Sequence, residues 1–209
     1  MKQDVIIVNY GMGNLFSLQR ILEQMGYNCL TSNSKEVIYQ AKRIILPGVG
    51  HFGKAMENLQ SMDLLTTLNE VALVRKIPIL GICLGMQLMA SYSEEGNAKG
   101  LNWFNAEVKK IIVRDPSLYK IPHVGWNDLK IMKKDCILNN VEENERFYFV
   151  HSYQFISNEF NDILSTTTYE ETFVSTIRKK NLFGMQFHPE KSYESGRKIL
   201  KNFFEENYV

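Results

Sequence analysis

Residues 77–87 read Ile77-Pro78-Ile79-Leu80-Gly81-Ile82-Cys83-Leu84-Gly85-Met86-Gln87, and the reading of that stretch decides the fold. The run Ile77 to Leu80 is short and continuously apolar, which predicts a strand buried on both faces. Gly81 and Gly85 then bracket a thiol. A nucleophilic side chain between two glycines, after a buried strand and before a helix, is the thiol version of a nucleophile elbow. The turn is too tight for β-carbons beside its strained central residue, hence the glycines. Such a turn lifts the thiol clear of the sheet. It also sets the thiol at a helix N-terminus that favours thiolate, with the Leu84 amide aimed at a developing oxyanion. The bland alternative is a tight strand–helix turn that happens to contain a buried cysteine.

Working outward, the same alternation of buried strand and amphipathic helix recurs towards the N-terminus. Val5 to Val8 predicts a strand, followed by the turn Asn9-Tyr10-Gly11-Met12-Gly13. Asn14 can cap a helix with Leu15, Leu18, Ile21, Leu22 and Met25 at helical spacing, and Gly26 stops it. Arg43 to Leu46 is a second strand, broken by Pro47-Gly48-Val49-Gly50, and Leu64, Leu65, Leu68, Val71 and Ala72 mark another helix. Together these imply an open α/β fold with a mostly parallel sheet covered on both faces, whose sites gather at the carboxyl ends of strands. The second half differs. Segments 106–113, 126–131, 147–153, 163–168 and 173–178 read as short antiparallel additions, followed by a strand from Leu182 to Phe187 and a helix from Tyr193 to Glu205. With no repeat or flexible linker, residues 1–209 are expected to form one domain.

Composition narrows the function classes. Hydrophobic residues at 44% and charged residues at 22% fit a soluble globular protein, and a net charge of +1 gives no sign of nucleic acid or an anionic membrane as partner. No apolar run approaches a signal-peptide core or a membrane span, so the cytoplasm is the expected location. The three cysteines, at 29, 83 and 136, lack metal-like spacing, and no metal or cofactor is expected.

Two further stretches carry chemistry. Phe187-His188-Pro189-Glu190-Lys191-Ser192 ends the last strand. Histidine is the usual base for a thiol, and a carboxylate two residues on can orient its ring. Pro47 to Gly50, also just past a strand, has two glycines that let backbone amides approach a substrate carbonyl. All three stretches fall on one edge of the expected sheet.

In this order they resemble the class I (triad) glutamine amidotransferases, most of all the amidotransferase subunits of imidazole glycerol phosphate synthases. The likeness extends to Tyr10–Asn14, Pro47–Gly53, Pro122-His123-Val124-Gly125-Trp126-Asn127 and Phe147–Tyr153. It implies that Cys83 is the nucleophile, His188 the base and then the acid, and Glu190 its orienting partner. It also implies a glutamine and oxyanion pocket formed by Gly48, Val49, Gly50, Leu84, Gln87, Glu95, His151, Ser152 and Tyr153. The expected partner is a cyclase subunit with a (βα)8 barrel, forming a heterodimer through a surface that includes Asn14, Trp126 and Lys191. Two positions depart from the family pattern: Asn9, where aspartate is usual, and Gln154, where many members have tyrosine. They keep open a paralogous role, supplying ammonia to a sugar-modifying partner in surface-polysaccharide synthesis. Gly11-Met12-Gly13 is no dinucleotide fingerprint, because Phe16 occupies the third glycine's place. His51 and His123 are read as loop and packing residues.

Overall fold

The computed structural model describes residues 4–205. Its centre is an eight-stranded sheet. Five strands form the parallel part: β1 (Val5–Val8), β2 (Cys29–Ser32), β3 (Ile44–Leu46), β4 (Ile79–Ile82) and, much later in the chain, Leu182–Met185. Between them run helices α1 (Leu15–Gln24), α2 (Lys35–Tyr39), α3 (Phe52–Ser61) and α4 (Leu65–Asn69), with α5 (Leu84–Leu88) following β4. Further strands are β5 (Tyr92–Ser93), β6 (Ala98–Lys99), β7 (Ala106–Lys110), β8 (His123–Asp128), β9 (Lys130–Ile131), β10 (Arg146–His151), β11 (Tyr153–Ser157), β12 (Ile163–Tyr169) and β13 (Glu171–Lys179). The strand Leu182–Met185 is thus β14, and the chain closes with helix α6 (Tyr193–Glu205). The main sheet has the order β2-β1-β3-β4-β14-β13-β12-β9. Pairings from β2 through β14 are parallel, and those from β14 to β9 are antiparallel. The expected α/β architecture, parallel first and antiparallel later, is the one found.

Alternate side chains of the central strands feed two apolar clusters. Ile6, Val8, Ile44, Leu46 and Ile79 meet α2 to α5 on one face. Val5, Ile7, Ile45, Leu80 and Ile82 meet α1 and α6 on the other. From α6, Ile199, Leu200 and Phe203 are fully buried, each worth about 2 kcal/mol of apolar transfer.

Several boundaries differ from the sequence expectation. β4 runs two residues later than Ile77–Leu80, because Pro78 has no N–H to give while Gly81 and Ile82 still pair with Gly184 and Met185. The helix expected through Ala72 loosens after Asn69 into a π turn, Glu70–Val74, closed by Arg75 N donating to Glu70 O. Segment 147–153 is two strands rather than one. β10 pairs with β8 in a two-stranded sheet, and β11 joins β7, β5 and β6 in another, so Ser152 is the crossing point.

The order β3-β4-β14 sets three strand ends side by side, which is what gathers the site. Gly85 makes the junction possible: a β-carbon there would collide with the Leu46 carbonyl oxygen, and one at Gly81 would lie 2.7 Å from Gly85 O. Since both obstacles are backbone, Gly85→Ala is expected to lower the unfolding free energy by about 3 kcal/mol. Urea denaturation checks this, and an unchanged midpoint would mean that the β3 end yields freely.

Candidate active site

Cys83 sits at the tip of the turn with φ 52° and ψ −107°, a left-handed backbone that costs a non-glycine residue about 1–3 kcal/mol. The fold holds it there from both sides: Cys83 N donates to Met185 O at 2.8 Å, and Gln87 N donates to Cys83 O at 3.1 Å. Helix α5 is only five residues long, so it offers the thiol the amides of one turn and a smaller macrodipole than the sequence suggested. The sulfur is 3.6 Å from Gln186 Nε2 and 3.8 Å from Val150 O.

His188 follows β14 and is almost completely buried. Its Nδ1 is 2.8 Å from Glu190 Oε1 across the short turn begun by Pro189. A carboxylate can only accept, so Nδ1 carries the proton and Nε2 is left for the thiol. Nε2 is buried with no well-formed hydrogen bond; its neighbour is Cys83, which acts on it by charge first and then as a hydrogen-bonding group. Burial alone would pull the imidazole down; the charge and hydrogen bonding of Cys83, then the bond to Glu190 and its charge, outweigh it and raise His188 to about 10. The turn is clamped by a residue to which sequence reading gave no role. Ser192 Oγ donates to His188 O at 2.6 Å and accepts from Tyr148 N at 3.0 Å, tying the turn to β10.

A cavity of about 230 Å³ opens beside the thiol, lined by Val49, Gly50, Cys83, Leu84, Gln87, Glu95, Pro122, Val150, His151, Ser152 and Tyr153. Eight of the nine expected pocket residues therefore meet Cys83 there; Gly48 does not line the cavity. Gly48 instead packs against Tyr10, whose hydroxyl donates to Pro47 O. Burial, then the Cys83 charge, hold that hydroxyl protonated far above its usual range. Pro122 and Val150 stood in quoted motifs but were given no place in the pocket, because an apolar residue in a strand or turn carries no chemical signal. Glu95 Oε2 accepts from Phe52 N at 2.8 Å, which fixes the carboxylate against the start of α3. Partial burial, then Glu95 and Glu94, raise the Tyr153 hydroxyl above its usual value. A larger groove of about 470 Å³ crosses residues 131–143, away from the thiol.

His51 accepts from Lys54 N at 3.3 Å and so caps α3, while His123 stacks on Tyr169 with ring centroids 4.0 Å apart. Trp126 lies half-exposed, stacked on Tyr193 at 5.2 Å, and Lys191 Nζ stands 5.5 Å above the Tyr148 ring. Asn14 is at the head of α1, accepting from Ser17 N at 3.1 Å. Among the described residues, no group of three or more His, Cys, Asp or Glu could hold a metal ion, and no helix is long and apolar enough to cross a membrane.

The chain is 44% identical over 202 residues to the imidazole glycerol phosphate synthase subunit HisH 2 of Methanococcus maripaludis, covering 97% of this chain and 99% of the relative. It is 43% identical to subunit HisH of Moorella thermoacetica, covering 96% and 94%. Solved structures share the fold. A glutamine amidotransferase of Thermotoga maritima matches with TM-score 0.65 and 15% identity over 95% of this chain and 81% of that one. The glutaminase domain of Trypanosoma brucei CTPS, with bound acivicin, matches with TM-score 0.63 and 17% identity, covering 98% and 95%. The family model "Glutamine amidotransferase class-I" spans residues 6–207, and the chain belongs to that family.

Proposed function

We propose that the whole chain acts as one glutaminase domain, the subunit that supplies ammonia to an imidazole glycerol phosphate synthase. The observation that carries this reading is the thiol of Cys83 opening into a cavity lined by Gln87, Glu95 and Tyr153, with the His188–Glu190 pair behind it. The Cys83 thiolate attacks the side-chain amide carbon of glutamine, and the oxyanion is met by the Leu84 amide and the Pro47–Gly50 loop. Protonated His188 gives its proton to the departing ammonia, leaving a γ-glutamyl thioester. Water, deprotonated by His188, then releases glutamate and restores the thiol. Glu95 is suited to the substrate's ammonium group.

The names of the relatives support a partner subunit, and we take it to be a (βα)8-barrel cyclase in histidine biosynthesis. Trp126, Tyr148, Tyr193 and Lys191 are the surface proposed to meet it, because aromatic residues in such a cluster are the usual interface anchors. Asn14, at the head of α1, is proposed for the rim of the same surface. The departure at Asn9 does not argue for a different acceptor: its Oδ1 accepts from Gly11 N at 3.2 Å, a bond an aspartate would make equally well. All three cysteines are free thiols, which suits the cytoplasm.

The loop over the pocket suggests how hydrolysis is held in check. Gly50 has φ +123°, and Val49 is exposed between its two glycines, so that peptide can reorient at modest cost. One missing oxyanion donor costs about 10²–10³ in rate. The chain alone is therefore expected to hydrolyse glutamine about a hundredfold more slowly than the complex with cyclase and its nucleotide ligand. Steady-state glutaminase rates for the chain, the complex and the loaded complex test this. Equal rates in all three would remove the gating, and no hydrolysis in any would remove the function.

A further inference from the structure

Gln186 stands two residues before His188 and is completely buried, yet the chemistry described so far does not use it. Its main chain is fixed by Gln186 N donating to Ser175 O at 2.9 Å. Its side chain lies between the nucleophile and the pocket wall. One end, Nε2, is 3.6 Å from Cys83 Sγ; the other, Oε1, is 3.0 Å from Gln87 Nε2. Gln87 Nε2 is also 3.1 Å from Tyr153 O, and His151 Nδ1 is 2.8 Å from that same carbonyl.

The polarity of this buried network follows from its one fixed member. A carbonyl oxygen can only accept, so Gln87 must turn its NH₂ towards Tyr153 O. That same NH₂ faces Gln186, whose oxygen must therefore accept, and the Gln186 NH₂ is left facing the sulfur. Flipping Gln186 would set two NH₂ groups against each other and a carbonyl oxygen against the thiolate. On the other side, His151 Nδ1 must donate to the same carbonyl, so Nε2 accepts from His123 Nδ1 at 3.1 Å. Both rings are neutral in this arrangement. Burial lowers His123 to about 4; burial outweighs the bond to Tyr153 O and, with the charges of His123 and His188, lowers His151 to about 3.

We propose that Gln186 is a further catalytic residue, whose amide N–H stabilises the Cys83 thiolate, and that Gln87 and the Tyr153 carbonyl lock that donor towards the sulfur. The thiol form has its own acceptor in Val150 O at 3.8 Å, a different group from the amide that meets the thiolate. Removing Gln186's N–H takes away the thiolate's amide donor and leaves it to the charge of His188. The use of the thiolate rests on the glutaminase reading; its stabilisation does not.

The experiment is iodoacetamide alkylation of the folded chain across pH, read at the Cys83 peptide by mass spectrometry. Gln186→Met keeps the length and removes the donor. It should raise the half-point of Cys83 alkylation by about one pH unit and slow the reaction about tenfold below it, as expected for a bond to a charged group. Gln186→Glu sets a carboxylate against the sulfur and should move the half-point further the same way. Gln87→Met, which removes only the lock and leaves β14 untouched, should give a smaller shift of the same sign. It provides the reading should either Gln186 variant melt early. Unchanged half-points in the folded variants overturn the proposal, whatever happens to turnover. If the wild-type chain is labelled first at another cysteine, the assignment of Cys83 as nucleophile falls instead.

Discussion

Cys83→Ala is expected to reduce glutamine hydrolysis by at least about 10⁴-fold, in the complex as well as in the chain alone. The sulfur forms the covalent bond to substrate, and it is the one thiol that lines the cavity, with His188 beside it as its base. The two remaining thiols are elsewhere. Cys29 Sγ is bonded to Gln19 O at 3.6 Å, and burial, then Glu23, push that thiol up to about 11. Cys136 is engaged beside Asp135 and Arg178. A glutamine-like electrophile should therefore label Cys83 and spare Cys29 and Cys136. Alanine adopts φ 52° no more easily than cysteine, so the variant should fold as before, which circular dichroism can verify. Synthesis from added ammonium salt should survive in the complex, because the acceptor chemistry belongs to the partner. Persistent glutaminase activity in Cys83→Ala would remove the nucleophile. Loss of the ammonium-dependent reaction in a well-folded complex would remove the division of labour.

What could be read from the sequence was whatever a strand end announces in residue type. Gly81 to Gln87 and Phe187 to Ser192 combine a buried apolar run with glycine, proline and a reactive side chain, so turn and chemistry are visible together. β2 was missed because Cys29-Leu30-Thr31-Ser32 is only partly buried at the sheet edge and lacks a continuous apolar run. α3 was missed because its start is capped by a histidine, an unusual cap, and not by Ser, Thr, Asp or Asn. Side-chain alternation cannot reveal that β10 and β11 belong to separate sheets, since both share the period of two. In the site, Gln186 was passed over as the end of an apolar strand. The available signal was a lone amide inside a run otherwise buried and apolar, because a buried amide must have partners. Ser192 was quoted within its motif, but its bonds to His188 O and Tyr148 N depend on β10 folding back from more than forty residues away.

Glu190→Gln should be the second most damaging change, lowering glutamine turnover by about 10³-fold while leaving the pocket intact. Glu190 does not touch the thiol; it works through His188, making it a positioning residue. Its carboxylate obliges Nδ1 to carry a proton, whereas a glutamine amide can present either an acceptor or a donor. The donor orientation would draw the proton to Nε2 and turn the ring's lone pair away from Cys83. The charge matters as well. Burial favours neutral imidazole, and His188 stays up at about 10 because Cys83 and Glu190 outweigh it. Removing one of those two charges must lower the value, so the imidazolium that protonates departing ammonia is lost at a lower pH. The alkaline limb of the kcat profile should therefore move towards acid in Glu190→Gln, with KM changed little. Imidazole chemical shifts should show His188 titrating in the same direction. A merely structural carboxylate would lower kcat uniformly across pH and leave the imidazole titration in place, and that outcome would separate Glu190 from the proton transfers.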